Sequence, residues 1–136
     1  MRSFAIFAII TALLGCAPVN PRVLDSEQSQ LQLRQIQSRA FDTTEREKTL
    51  RTVMQTLQDL SFVIDKADLL LGSVSATKLD GYALRMTVTV LPRGKKQLVV
   101  RANAQYNLSA VTDPEPYQQF FTALEKAMFL TAQQVD

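Results

Sequence analysis

The feature that most constrains this chain is a pair of alternating runs. Tyr82, Leu84, Met86, Val88 and Val90 alternate with Ala83, Arg85, Thr87, Thr89 and Leu91. After Pro92-Arg93-Gly94 turns the chain, Leu98, Val100, Ala102, Ala104 and Tyr106 alternate with Val99, Arg101, Asn103 and Gln105. Successive side chains of a strand point to opposite faces, so each run is a strand with one apolar and one polar side. Two such strands joined by a tight turn form an antiparallel hairpin whose apolar face must be covered.

Two helical segments are available as the cover. Asp42-Thr43-Thr44 precedes Glu45-Arg46-Glu47, and Thr44 with Glu47 has the spacing of a capping box. Leu50, Val53, Met54, Leu57 and Leu60 then recur at steps of three and four, predicting a helix over 45–60 with Lys48, Arg51, Gln55 and Asp59 toward water. Near the end, Pro114 or Pro116 opens a second helix, over which Tyr117, Phe120, Phe121, Leu124, Ala127, Met128 and Thr131 form a wide apolar stripe ending near Ala132.

The rest supplies further strands. Phe62-Val63-Ile64 is β-prone, Asp65 to Asp68 reads as a turn, and Leu69–Leu79 reads as a strand ending at the hairpin dipeptide Asp80-Gly81. Residues 31–41 read as a first strand with imperfect alternation; a helix is the alternative there, and a short one over Ser26–Gln35 is compatible with the Gln and Leu content. The fold class expected is α+β: a two-layer sandwich of a four- to five-stranded antiparallel sheet with two helices packed on one face, in the order β-α-β-β-β-α.

Residues 1–16 are of another kind. Arg2 is followed by an apolar run from Phe4 to Leu14, shorter than the roughly 20 residues a spanning helix needs. It fits the core of a secretory signal. Its end, Leu13-Leu14-Gly15-Cys16, resembles the lipobox of bacterial lipoproteins. That resemblance implies a signal peptide over 1–15, cleavage before Cys16, and acyl chains on Cys16 that anchor the chain to a membrane. Ala17 stands where the enterobacterial sorting pattern has Asp for inner-membrane retention, which implies the periplasmic face of the outer membrane. Residues 16–30, with Pro18 and Pro21, are then expected as lipidated cysteine and flexible tether, and 31–136 as one α+β domain.

In element order the domain is similar to the helix-grip domains of periplasmic lipoproteins, such as the lipoprotein subunit of the outer-membrane β-barrel assembly machine, which carries two. No sequence motif is shared, so no functional residue transfers.

Composition narrows the chemistry. The 136 residues are 46% hydrophobic and 21% charged, a globular balance. Without Arg2, the 15 basic side chains become 14 against 13 acidic, a formal +1. Nucleic acid, which calls for a concentrated basic surface, is not an expected partner. There is no histidine, and Cys16 is the one cysteine, so Ser–His–Asp and Cys–His nucleophiles and structural zinc are excluded. No enzyme activity, cofactor or metal is expected. On a strand Ser75 and Lys78 point to opposite faces, which removes a Ser–Lys pair. Asp65 and Asp68 lack the further oxygens of a calcium loop.

The candidate contact surface is the polar side of the sheet: Arg85, Thr87, Thr89, Arg101, Asn103 and Gln105, extended by Ser73, Ser75 and Thr77. Two arginine forks suit a protein partner or an anionic group; a plainly solvated sheet face is the competing reading. Arg34, Arg39, Arg46 and Arg51 interleave with acids and read as mixed-charge surface. Arg93, Lys95 and Lys96 gather in one turn, where they serve solubility and strand pairing or touch anionic lipid. Phe129 falls off the apolar stripe; the preferred reading is that the last turn tucks under the sheet edge, and the alternative is apolar surface left for a groove or interface. The expected function is a lipid-anchored, non-catalytic accessory or adaptor subunit of an envelope complex (outer-membrane assembly, secretion or efflux). The alternative is a binding module for a small amphiphile or lipid, with a cavity behind Met86, Val100 and Phe121.

Overall fold

A computed structural model describes residues 21–79, 81 and 83–133. The elements are α1 (Pro21–Ile36), β1 (Ser38–Phe41), α2 (Arg46–Asp59), β2 (Val63–Asp68), β3 (Ser73–Leu79), β4 (Ala83–Arg93), β5 (Gln97–Tyr106), β6 (Ser109–Ala110) and α3 (Pro114–Gln133). The strands form one antiparallel sheet in the order β1-β5-β4-β3-β2, with the short β6 also paired to β5. The expected signal peptide, Cys16, and Asp80 and Tyr82 of the expected hairpin lie outside the described residues.

The alternation of β4 and β5 is realised over 84–90 and 98–104, with Tyr106 half-buried. Leu84, Met86, Val88 and Val90 of β4, with Leu98, Val100, Ala102 and Ala104 of β5, are buried on one face. Over them lie Leu50, Val53 and Leu57 of α2, which spans β2 to β4, and Tyr117, Phe120, Phe121 and Leu124 of α3, which lies over β5. Phe120 and Phe121 meet edge to face, ring centroids 5.1 Å apart. This is the two-layer α+β sandwich that the pattern predicts. Among the described residues, the core cluster and its half-buried rim run from Leu33 to Met128.

Four local expectations are corrected. Helix α1 occupies 21–36, so the expected first strand is helix up to Ile36 and strand only over 38–41, and the stretch assigned to a tether is helical from Pro21. Leu33 and Ile36 pack on the core, which favours helical spacing over alternation there. The capping box at α2 is absent: the Glu45 N–H donates to Thr43 Oγ1 at 3.2 Å, while the Glu47 carboxylate is drawn one turn onward to Arg51 Nη2 at 2.7 Å. Residues 65–68 belong to β2 rather than to a turn, with a register shift between Ile64 and Lys66. The turn lies instead at 69–72, within the strand expected over 69–79.

The buried face of α2 is also wider than its apolar residues. Thr49, Thr52 and Thr56 are buried, and each hydroxyl donates to the carbonyl one turn earlier, at 2.7–2.9 Å. Satisfying themselves locally, these short side chains need no partner on α3. The opening of α3 follows the proline rule: Pro114 is its first residue, and Asp113 Oδ1 accepts from the Glu115 N–H at 3.0 Å.

One polar group organises the outer edge of β5. Between the stretch paired with β1 and the stretch paired with β6, the Ala104 N–H would be orphaned. It donates instead to the Tyr117 hydroxyl at 3.2 Å, and that hydroxyl donates to the Val111 carbonyl at 2.8 Å. Gln37 Nε2 donates to the same oxygen at 3.2 Å. Tyr117→Phe keeps the ring and strands these groups, so it is expected to lower stability by about 1–3 kcal/mol in urea unfolding.

The end of α2 predicts the opposite sign. The Ser61 N–H donates to Gln58 O at 3.0 Å, and the Phe62 N–H to Leu57 O at 2.9 Å. This is a Schellman ending, with buried Phe62 and Leu57 as its apolar pair. Its left-handed position is held by Ser61, at φ 71°, where glycine is favoured. Ser61→Gly is expected to stabilise the domain by about 0.5–1 kcal/mol in the same assay.

Candidate functional site

The side of the sheet away from α2 and α3 carries every residue proposed for the contact surface. Register sets them in rows. Ser73, Thr89 and Arg101 lie side by side, then Ser75, Thr87 and Asn103, then Thr77, Arg85 and Gln105. Arg101 pairs onward with Ser38 of β1, and Ser75 with Lys66 of β2. Among the described residues no helix lies over these rows.

The two halves of this face differ in how their polar groups are spent. On β3 and its neighbours, Ser75 Oγ and Thr87 Oγ1 are 3.2 Å apart in a hydrogen bond, and Thr77 Oγ1 donates to Asp65 Oδ2 at 2.6 Å. Among the described residues, no side-chain hydrogen bond or ion pair engages Arg85, Arg101, Asn103 or Gln105. All four are exposed. Arg85 and Arg101 lie on adjacent strands; Arg101 is opposite Thr89, four positions along β4 from Arg85, which sets the two roughly 13 Å apart along the strand direction. Two unspent guanidinium forks flanking Asn103 form a surface ready to accept carboxylate groups.

A cleft enlarges this half. Arg34 of α1, Gln37 and Ser38 join Arg101 and Asn103 around an open depression of about 520 Å³. Its position is set by the Ala102 N–H, which donates to Gln37 O at 2.8 Å and so holds the α1–β1 junction against β5. The sequence reading missed Arg34, Gln37 and Ser38 as members of the surface because it treated 31–41 as one strand. The Gln- and Leu-rich run through 36 was the available signal for a helix delivering Arg34 to that edge.

The other arginines go elsewhere. Arg39 pairs with Glu125 at 3.3 Å and lies over the Phe121 ring, 5.3 Å from its centroid. Arg51 pairs with Glu47. Arg46 is structural: Nη2 donates to Leu70 O at 3.1 Å and Nε to Val90 O at 3.4 Å, tying the first turn of α2 to the β2–β3 turn and to β4.

Ser75 faces Thr87, while Lys78 stands 5.9 Å from the Phe62 ring centroid, so the two do not meet. Asp65 accepts from Thr77 and Asp68 Oδ1 from the Leu71 N–H at 2.9 Å. Among the described residues, no group of three or more acidic or cysteine side chains has the spacing of a metal site. Behind the sheet, Met86, Val100 and Phe121 are at most 1% exposed and packed in the core. No helix of the described residues is long and apolar enough to cross a membrane. A scan of family models and a search of curated proteins return no match for the chain.

The β2–β3 turn is the other feature missed. Leu69, Leu70 and Leu71 read as part of a strand, yet they form an exposed turn closed by Gly72 at φ 72°. A Cβ on Gly72 would collide with the Arg46 guanidinium and stand 2.8 Å from Val90 O. Gly72→Ala is therefore expected to cost about 1–3 kcal/mol in urea unfolding. Protease cleavage at the leucine turn should accelerate with it.

Proposed function

We propose that this chain is a lipid-anchored periplasmic lipoprotein acting as a non-catalytic accessory or adaptor subunit of an envelope complex. The lipid on Cys16 holds it at the periplasmic face of the outer membrane, and the bare sheet face docks an acidic surface of a protein partner. One observation carries the docking surface: Arg85, Arg101, Asn103 and Gln105 stand exposed and unengaged on the sheet, beside Ser75, Thr77 and Thr87, whose hydroxyls are already hydrogen-bonded. An antiparallel sheet commonly leaves one face to water, so an open face alone says little. Unspent arginines concentrated on one half of it say more. The leader ending Leu13-Leu14-Gly15-Cys16 supports the anchoring half of the reading.

Tethering gives this arrangement its mechanism. Confining the domain to a membrane raises its effective concentration near other membrane proteins, so a contact of modest affinity suffices. The arginines then supply orientation, since a planar fork accepts a carboxylate in a defined plane.

Affinity purification of the intact protein from solubilised membranes tests both halves. The wild type is expected to bring down a stoichiometric envelope protein. Cys16→Ser should abolish incorporation of radiolabelled palmitate, which the wild type is expected to show. Arg85→Glu with Arg101→Glu should leave it membrane-bound and folded, with recovery of the partner down roughly ten-fold, as loss and reversal of desolvated charge pairs implies. Purification of the wild type with no stoichiometric companion would overturn the proposal.

A further inference from the structure

Two turns lie at the same end of the sheet. β2 and β3 turn at 69–72, β4 and β5 at 94–96, and the Val90 N–H donates to Gly72 O at 2.8 Å, which sets the first turn against the last stretch of β4. One turn is apolar and the other cationic. Leu70 is 90% exposed and Leu71 68%, while Arg93, Lys95 and Lys96 of the second turn are all exposed. The C-terminal turn of α3 comes to this end as well, since Met128, Thr131 and Ala132 face Thr43, Glu45 and Lys48, and it brings the exposed Phe129 and Leu130.

The leucine turn is built, not loose. The Leu70 carbonyl accepts from Arg46, the Leu71 N–H donates to Asp68 Oδ1, and the Gly72 N–H donates to Asp68 O at 2.8 Å. Its backbone is held by these three hydrogen bonds, to Arg46 and Asp68, while Leu70 and Leu71 are exposed to solvent. An apolar knuckle held rigid in water has no stabilising role within the domain, because exposed leucine gains nothing on folding.

We propose that this end of the domain docks on an anionic bilayer surface, with Leu70 and Leu71 entering the interface and Arg93, Lys95 and Lys96 meeting lipid phosphates. The charge is complementary. Neither turn contains an acid; of the acids nearby, Glu45 lies 3.6 Å from Lys48 Nζ, while Asp42 and Asp68 are turned to Gln97 Nε2 and the Leu71 N–H, and the three cations of the second turn outnumber these two. Shallow apolar insertion beside a small basic cluster is the combination by which proteins hold to anionic membranes without spanning them. The contact lies apart from the α1 side of the domain, where Ser29 and Gln30 approach Thr112 and Pro114 near the start of α3. It is additional to any lipid on Cys16 and does not depend on the adaptor reading.

The test uses residues 17–136, which contain every core residue among the described ones and no lipidation site, with a cooperative unfolding transition as the check that this chain is folded. This chain is expected to sediment with vesicles of equal parts phosphatidylglycerol and phosphatidylcholine, not with phosphatidylcholine alone, and less well as salt rises. Leu70→Ser with Leu71→Ser, and separately Lys95→Glu with Lys96→Glu, should each weaken partition roughly ten-fold or more without shifting thermal unfolding. The chain has no tryptophan, so Leu70→Trp adds a single reporter, expected to blue-shift on anionic vesicles and to be quenched by brominated lipid. Absence of wild-type sedimentation with the anionic vesicles would overturn the proposal. So would partition indifferent to the leucine pair, a Leu70→Trp emission unmoved by vesicles, or capture of an acidic protein by these turns in place of any vesicle binding.

Discussion

The hydroxyl of Tyr117 is the contact on which the sheet's arrangement turns. The apolar faces of the central strands drive association with the helices, yet that drive is non-directional and sets neither the edge nor the register. The tyrosine oxygen lies between the stretches where β1 and β6 pair with β5. It accepts from the Ala104 N–H and from Gln37 Nε2, and donates to the Val111 carbonyl. One atom thereby joins α3, β5, the loop before α3 and the α1–β1 junction. Because Gln37 is held there, Arg34 and Ser38 are delivered to the rim of the open face beside Arg101. The core side of the sheet thus positions the side proposed to dock a partner.

A second constraint acts at the far end. Arg46 reaches from the first turn of α2 to two backbone carbonyls, Leu70 and Val90, and no Cβ fits at Gly72 beneath it. An arginine used on carbonyls of a turn fixes the turn's shape without covering its side chains. The same sandwich therefore presents two unlike surfaces on a common rigid frame. The polar rows carry unspent guanidinium groups, and the hairpin end pairs exposed leucines with lysines.

Legibility in the sequence followed the strength of the periodicity. The alternation through Leu84–Val90 and Leu98–Ala104 is regular, with one side apolar throughout, and it identified the strands, their buried side and the polar rows together. The stripes of α2 and α3 were equally plain, as was Pro114 at the start of α3. At Leu31–Ile36 the apolar spacing is short enough to satisfy both periods, and the tertiary contacts of Leu33 and Ile36 decided for helix. At Leu69–Leu71 three consecutive leucines masked a turn, and Gly72 was its only local mark. Thr44 and Glu47 had the spacing of a cap, but a nearby Arg51 offered Glu47 a charged partner, and a charge-assisted bond is stronger than a neutral one. What pattern reading cannot supply is the cleft at Arg34 and Arg101, which brings together residues far apart in sequence.

The central claim is that the bare face of the sheet, and not the helical layer, is the surface through which this protein meets its partner. Site-directed photo-crosslinking in intact cells tests it most directly, with a photoreactive residue placed at Asn103 on the open face and, in a separate strain, at exposed Gln118 on α3. The account predicts a discrete protein adduct from position 103 and none from 118. An adduct from 118 with none from 103 would contradict it and move the working surface to the helices.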